Sequence, residues 1–76
     1  MLTDVLAVFG GDAGLQWGDV AARLASRFPN RWDGASADAV AAECRALSVP
    51  SVNVKAAGAV RKGCRKSDVE PLAGAQ

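Results

Sequence analysis

The hydrophobic residues of the first 50 positions recur three and four places apart in three separate stretches, the spacing that puts them on one face of an α-helix. The first stretch contains Leu2, Val5, Leu6 and Phe9. The second contains Trp17, Val20, Ala21, Leu24 and Phe28. The third contains Ala37, Val40, Ala41, Cys44 and Leu47. This pattern predicts three amphipathic helices whose hydrophobic faces share one core.

Residues that begin or end helices flank these stretches. Thr3 and Ser36 are candidate N-caps of the first and third helices. A pair of glycines follows the first helix, and Pro29 follows the second. Residues 31–34 are therefore expected to form the turn between the second and third helices.

The hydrophobic period changes to two after Pro50. Val52 and Val54 alternate with polar residues, which predicts a half-buried β-strand. Residues 56–58 are a candidate turn, and residues 59–64 are a candidate partner strand. A hairpin is therefore expected after the third helix, and residues 15–17 are a candidate third strand.

The end of the chain is expected to contribute little structure. Residues 67–70 can start a helical turn, but Pro71 and the small residues after Leu72 predict a frayed end. We therefore expect one domain over residues 1–72 and a flexible tail over residues 73–76.

Three helices followed by a hairpin predict a mainly α protein with a small β-hairpin, in the order of a winged helix-turn-helix domain with a two- or three-stranded wing. In that fold the third helix lies against DNA, and the hairpin reaches an adjacent groove or the DNA backbone. The alternative is a plain three-helix bundle with a loose tail. The change of the hydrophobic spacing to a period of two residues favours the winged domain over the three-helix bundle.

The composition argues against several classes of function. A chain of 76 residues has room for one small core and little room for a deep pocket. It contains no histidine, and its two cysteines alone cannot complete a tetrahedral zinc site. No phosphate-loop motif is present. We therefore expect no enzymatic activity, no cofactor, no metal and no small-molecule substrate.

The sequence pattern also bears on the compartment. No run of about 18 apolar residues is long enough for a membrane span, and the N-terminus lacks the pattern of a signal peptide. We therefore expect a cytoplasmic protein without a membrane partner. Cys44 and Cys64 are accordingly expected to be small buried thiols rather than a disulfide.

The net charge is only +1, but the charges are unevenly distributed. Residues 1–54 contain four arginines and six acidic residues, whereas five cations in and after the hairpin have no acidic residue among them. These cations are Lys55, Arg61, Lys62, Arg65 and Lys66. The cluster predicts contacts with DNA phosphates. The alternative is that solvated charges protect an edge strand from pairing.

The outward positions of the third helix are candidates for contacts with base edges in the major groove. With neighbouring positions, the candidate site comprises Arg31, Ser36, Asp38, Ala39, Ala42, Glu43, Arg45 and Asn53. Arg45 suits a bidentate contact with guanine, and Glu43 or Asp38 can accept a hydrogen bond from cytosine. The same side chains would equally solubilise the helix. Arg31 is a candidate phosphate contact or a partner of Asp33.

The two tryptophans differ in their expected roles. Trp17 belongs to the hydrophobic face of the second helix and is expected in the core. Trp32 either covers the open end of the core or presents an aromatic surface to a partner. A protein-interaction or oligomerisation module that docks through Trp32 and the alanine-rich third helix is therefore the alternative to DNA binding.

Four stretches of the chain also carry a family resemblance. They are DVLAVF at 4–9, LQW at 15–17 with VAARL at 20–24, RALSVPSVNV at 45–54 and KGCRKSDVE at 62–70. In this order they resemble the C-terminal winged-helix region of actinobacterial FtsK/SpoIIIE-like DNA translocases, which include the conjugative Tra proteins of Streptomyces plasmids. The resemblance covers nearly the whole chain, and its most specific part is the run after the predicted wing.

The resemblance implies sequence-selective binding of double-stranded DNA. In this family the winged helix directs a separate hexameric ATPase motor to short repeated sites during plasmid transfer or DNA segregation. Because this sequence has no phosphate loop, the motor would be a separate domain or partner. The family resemblance leads one to expect a basic recognition helix. The third helix differs from this expectation because it contains acidic residues.

Overall fold

A computed structural model describes residues 2–74 of the chain. Within this range the protein is a small α+β domain with five helices and a three-stranded antiparallel sheet. The elements in chain order are α1 (Leu2–Phe9), β1 (Gly14–Gln16), α2 (Trp17–Arg27), α3 (Pro29–Trp32), α4 (Ala37–Ala46), β2 (Val52–Ala56), β3 (Ala59–Arg65) and α5 (Lys66–Gly74). The three predicted helices correspond to α1, α2 and α4, and the predicted hairpin corresponds to β2 and β3.

The predicted helix boundaries are partly correct. Ser36 caps α4 as predicted, because its Oγ accepts a hydrogen bond from the Ala39 N–H at 3.1 Å. Thr3 lies inside α1 rather than at its N-cap. Residues 29–32, part of which was predicted as a turn, form the single helical turn α3. Pro29 occupies its first position, where the N–H that proline lacks has no helical partner.

The prediction of a frayed C-terminal segment is wrong through residue 74. Helix α5 continues past Pro71 to Gly74, and it packs against α1. Val69 is fully buried in this contact region, and Leu72 is half-buried against the core. The free energy gained by burying one side of the helix thus exceeds the cost of the one helical hydrogen bond that Pro71 cannot donate. The predicted tail therefore begins within α5, and its residues 75 and 76 lie outside the described range.

The sheet has the strand order β1-β3-β2. Leu15 pairs with Cys64 across β1 and β3, and Val54 pairs with Arg61 across β2 and β3. The candidate strand at 15–17 is present one residue earlier, since Trp17 begins α2. Strand β3 is consequently the central strand, and it joins the hairpin to the part of the sheet that lies under the helices.

One hydrophobic core unites the helices and the sheet. Its buried side chains are Leu2, Val5, Val8, Phe9, Leu15, Trp17, Val20, Ala21, Leu24, Val40, Ala41, Cys44, Val49, Cys64 and Val69. Trp17 is in the core as predicted, and its Nε1 donates to Ser51 Oγ at 3.0 Å. Cys44 and Cys64 are buried free thiols, which confirms the prediction for both residues. Among residues 2–74, no helix combines the length and hydrophobicity required to cross a membrane.

Candidate nucleic-acid interface

Helix α4 presents one side to solvent along its whole length. Val40, Ala41 and Cys44 are buried because they share the face directed at the core. The predicted outward residues are all exposed: Asp38, Ala39, Ala42, Glu43 and Arg45. Ser36 is exposed at the helix start, where its side chain already accepts the capping hydrogen bond. The surface is therefore open to a partner, with one cation, two carboxylates and two small side chains.

The strand register divides the cations of the hairpin between two faces of the sheet. Lys62 lies directly opposite Asn53, and Lys55 lies opposite Val60. Residues directly opposite share a face, and successive residues of a strand alternate between faces. Lys55 and Lys62 therefore lie on one face, whereas Arg61 lies on the other.

The face with the two lysines continues along β3 into the hydrophobic core. Cys64 shares it with Lys62, because the two residues are two positions apart in β3. The Cys64 thiol is fully buried, and its pKa is raised to about 12, chiefly by burial and further by the nearby Cys44 thiol of α4. Lys62 and Lys55 therefore lie on the same face of the sheet as the buried Cys64, nearer the turn of the hairpin.

Arg65 lies at the end of β3 far from the turn, and Lys66 follows it, so the five predicted cations do not form one patch. Arg65 pairs with Gly14 at the opposite end of β3. Lys66 begins α5, where its backbone N–H donates to the Ala13 carbonyl at 2.8 Å. The Lys66 Nζ donates to the Gly10 carbonyl at 3.2 Å, just beyond the C-terminus of α1. These contacts give Lys66 a role in connecting α5 to α1.

The tip of the hairpin is narrow and uncharged. Ala57 and Gly58 form its two-residue turn, with φ angles of 52° and 79°. Two positive φ values in a two-residue loop are typical of a type I′ turn, whose twist matches that of the strands. Val60 follows on β3 and is 62% exposed, the highest exposure of a large hydrophobic residue among those described.

The side chain of Gln16 connects β1 to the hairpin. Its Nε2 donates to the carbonyl oxygens of Val54 and Ala59, both at 2.9 Å. The two acceptors lie on different strands, so one amide group holds both strands of the hairpin. Sequence reasoning missed this contact because the acceptors are 38 and 43 residues away along the chain.

Arg31 and Trp32 converge on the buried Asp4 carboxylate. Trp32 Nε1 donates to Asp4 Oδ2 at 3.0 Å, and Arg31 Nη2 lies 3.4 Å from Asp4 Oδ1. The Arg31 guanidinium also lies 4.9 Å from the centre of the Phe28 ring. Arg31 thus pairs with Asp4 rather than with Asp33. Its side chain is still 65% exposed, which leaves it accessible to a phosphate.

Trp32 packs partly against the core, as expected for a residue that covers its open end. Its other side forms the wall of an open groove of about 830 Å³ between residues 31–35 and α4. Val40 and Leu47 contribute further apolar surface, and Asp33 and Glu43 contribute carboxylates. Sequence reasoning did not predict this groove, because its walls come from several elements that are separate along the chain.

Several exposed charges have no ion-pair partner within residues 2–74. The ion pairs in that range join Arg23 to Asp12 and Arg31 to Asp4. Unpaired cations therefore lie on the hairpin, and unpaired carboxylates lie on the groove and on α4. In the same range, no group of three cysteine, aspartate or glutamate side chains is placed to hold a metal ion.

No protein-family model, curated protein or solved structure matches this chain.

Proposed function

We propose that this chain is a winged helix-turn-helix domain that binds double-stranded DNA. Helices α2 and α4 pack against each other and are joined by α3 and a short turn, which supports the assignment of a helix-turn-helix. The β2–β3 hairpin follows α4 and serves as the wing. The observation that carries the proposal is that α4 exposes one face along its whole length and is followed directly by a hairpin whose exposed cations have no ion-pair partner within residues 2–74.

In the proposed complex, α4 lies in the major groove. Arg45 donates to a guanine, and Glu43 or Asp38 accepts a hydrogen bond from a cytosine amino group. Ala39 and Ala42 are small enough for close approach and can contact a thymine methyl group. The acidic side chains then select bases rather than attract phosphates, which explains an otherwise unfavourable charge at this position.

The hairpin and the turn before α4 supply the phosphate contacts. Lys55 and Lys62 reach the backbone beside the groove occupied by α4, and Asn53 lies between them as a hydrogen-bonding group. Arg31 contacts a phosphate at the other end of the helix. Arg61 lies on the opposite face of the sheet and contributes less to phosphate binding. The strand register therefore distinguishes the two lysines from Arg61 as phosphate contacts.

The proposed role within a larger system follows from the sequence resemblance. The domain would be the DNA-recognition module of an FtsK/SpoIIIE-like translocase in plasmid transfer or DNA segregation. It would direct an ATPase motor that a separate domain or chain supplies. This role requires no cofactor and no catalytic group from the residues of this chain.

The first test is the salt dependence of DNA binding, measured by fluorescence anisotropy with a labelled duplex. The logarithm of the binding constant should fall with log salt at a slope of about −3 to −5, because about three to five phosphates are neutralised. Lys55→Ala with Lys62→Ala should reduce the magnitude of this slope by about two. Arg61→Ala with Arg65→Ala is the matched control and should change the slope by less than one.

The outcomes separate the parts of the proposal. Absence of binding at low salt would overturn DNA binding itself. Equal effects of the two double variants would show that DNA contacts do not favour the lysine face over the opposite face. On a selected duplex, Arg45→Ala should cost about 1–3 kcal/mol, with little change on a random duplex. Equal losses on both duplexes would contradict base reading through α4.

A further inference from the structure

The groove beside α4 and the strands of the hairpin carry charges of opposite sign that lack ion-pair partners within residues 2–74. The groove has apolar walls from Trp32 and Leu47 and two exposed carboxylates, Asp33 and Glu43, that no ion pair neutralises within residues 2–74. An open concave surface with apolar walls and acidic groups fits an apolar side chain flanked by cations.

The β2–β3 hairpin carries such a combination. Val60 is exposed, Lys55 lies directly opposite it, and Lys62 is two positions further along the same face. The turn at Ala57 and Gly58 has almost no side-chain bulk, so the hairpin ends in a narrow projection. Because its cations are also unpaired in the described range, both surfaces retain charge for a partner.

The hairpin of the same chain does not fill the groove. Val60 remains 62% exposed, and the residues that line the groove come from α1, α3, α4 and the turn between α3 and α4. The occupant with the required apolar tip and flanking lysines is therefore a second copy of the chain.

We propose that the chain self-associates head to tail, with the hairpin of one copy in the α4 groove of the next. Val60 contacts Trp32 and Leu47, while Lys55 and Lys62 approach Asp33 and Glu43. Two different surfaces meet in this interface, so each copy retains one free hairpin and one free groove. The contact can therefore extend to further copies.

The interface should be weak and sensitive to salt. A narrow hairpin in an open groove buries less area than a standard stable complex, and its charge pairs lie at an exposed rim. Self-association uses the same lysines and the same side of α4 as the proposed DNA contact. Free duplex should therefore compete with it, although the self-association itself does not depend on DNA binding.

Sedimentation equilibrium of the full chain without DNA tests the proposal. The wild type should show a mass that rises with concentration at low salt and returns to that of one chain at high salt. A hairpin variant, Lys55→Glu with Lys62→Glu, and a groove variant, Asp33→Lys with Glu43→Lys, should each weaken association at least about tenfold. An equimolar mixture of the two should restore it, because complementary surfaces are again present.

A matched control changes the same charge elsewhere. Asp19→Lys with Glu70→Lys alters two exposed carboxylates outside the groove, and this variant should not lose self-association. All substituted residues are exposed, and circular dichroism checks that each variant is folded. Val60→Ser should weaken association without a change in charge.

Three results would overturn the proposal. They are a wild type that stays monomeric at millimolar concentration and low salt, a mixture that fails to restore association, and a control that loses association as fully as the groove variant. None of them bears on DNA binding, which is measured with dilute protein and a labelled duplex.

Discussion

Gly63 allows β1 and β3 to approach closely at the centre of the sheet. It pairs with Gln16, and a Cβ atom at this position would lie 2.6 Å from the Gln16 Cα and overlap the Leu15 carbonyl oxygen. Both neighbours are backbone atoms, so no side chain can move aside. The requirement at this position is therefore for space rather than for an unusual φ angle.

Gly63→Ala should destabilise the protein by about 3 kcal/mol, because β1 must separate from β3 to accommodate the methyl group. Thermal unfolding followed by circular dichroism measures the loss. Gly18→Ala is the control, since nothing lies within 4 Å of a Cβ there and the residue is in α2. That variant should be unchanged or more stable by about 0.5 kcal/mol. Similar losses in both variants would contradict the close approach.

The two buried thiols make the stability of the protein decrease at alkaline pH. Burial, and to a lesser degree the nearby Glu43 carboxylate, raises the pKa of Cys44 from 9.0 to about 11. Burial likewise raises the pKa of Cys64 from 9.0 to about 12. The unfolded chain therefore releases these protons at a lower pH than the folded protein does. The free energy of unfolding should fall as the pH rises above about 9, and below that pH the contribution is fully present.

Cys44→Ala with Cys64→Ala should remove this part of the pH dependence. The variant loses some packing at every pH, but its melting temperature should fall less between pH 8 and pH 10.5 than that of the wild type. Lys55→Ala is a surface control that should retain the wild-type profile. Parallel curves for the wild type and the cysteine variant would show that the thiols do not contribute.

At the scale of elements, the end of α4 directs the chain into the hairpin. Ser48 has a φ of 72°, its N–H donates to the Arg45 carbonyl, and the Val49 N–H donates to the Cys44 carbonyl at 2.9 Å. This pair of hydrogen bonds is a Schellman motif, which usually has glycine at the left-handed position. Val49 is then buried, which anchors the chain just before β2.

Ser48→Gly should stabilise the protein by about 1 kcal/mol, since glycine adopts a positive φ without the steric cost of a Cβ. Chemical denaturation should show a higher midpoint with an unchanged slope. Ala57→Gly, at the other non-glycine residue with a positive φ, should act in the same direction. A loss of stability in Ser48→Gly would mean that the motif does not determine the end of α4.

At the scale of the whole molecule, the C-terminal helix completes the core around α1. Val69 is fully buried, and Lys66 contacts the carbonyl of Gly10 beyond the end of α1. Arg23 Nη1 donates to the Val8 carbonyl at 2.9 Å, so a second cation lies at the same helix end. Cations there interact favourably with the helix dipole and satisfy free carbonyl groups.

Truncation after residue 65 should therefore lower the melting temperature by more than about 10 °C, because burial of Val69 alone contributes about 1.5–3 kcal/mol in so small a domain. Truncation after residue 74 is the matched control and should leave the melting temperature unchanged. Equal melting temperatures for the two truncated chains would show that α5 is not part of the cooperative unit.

The amino-acid sequence determined the features that depend on neighbours along the chain. The spacing of residues such as Val40 and Cys44 predicts α4 and its buried face, and the alternation at Val52 and Val54 predicts β2. Ser36 as the cap of α4 was also predictable, because its partner is only three residues away. Local spacing controls these features because each element satisfies its own backbone or presents its own apolar face.

Only the tertiary structure decided how distant residues combine. The pairing of β2 with β3 places Lys62 and Arg61 on different faces, a division that the charge count along the sequence did not contain. The burial of Val69 stabilises a helix through Pro71, where local propensity predicted a frayed end. The groove beside Trp32 likewise forms only when α1, α3 and α4 come together. In each case contacts across the chain contribute more free energy than local preference, so the sequence pattern alone could not predict the outcome.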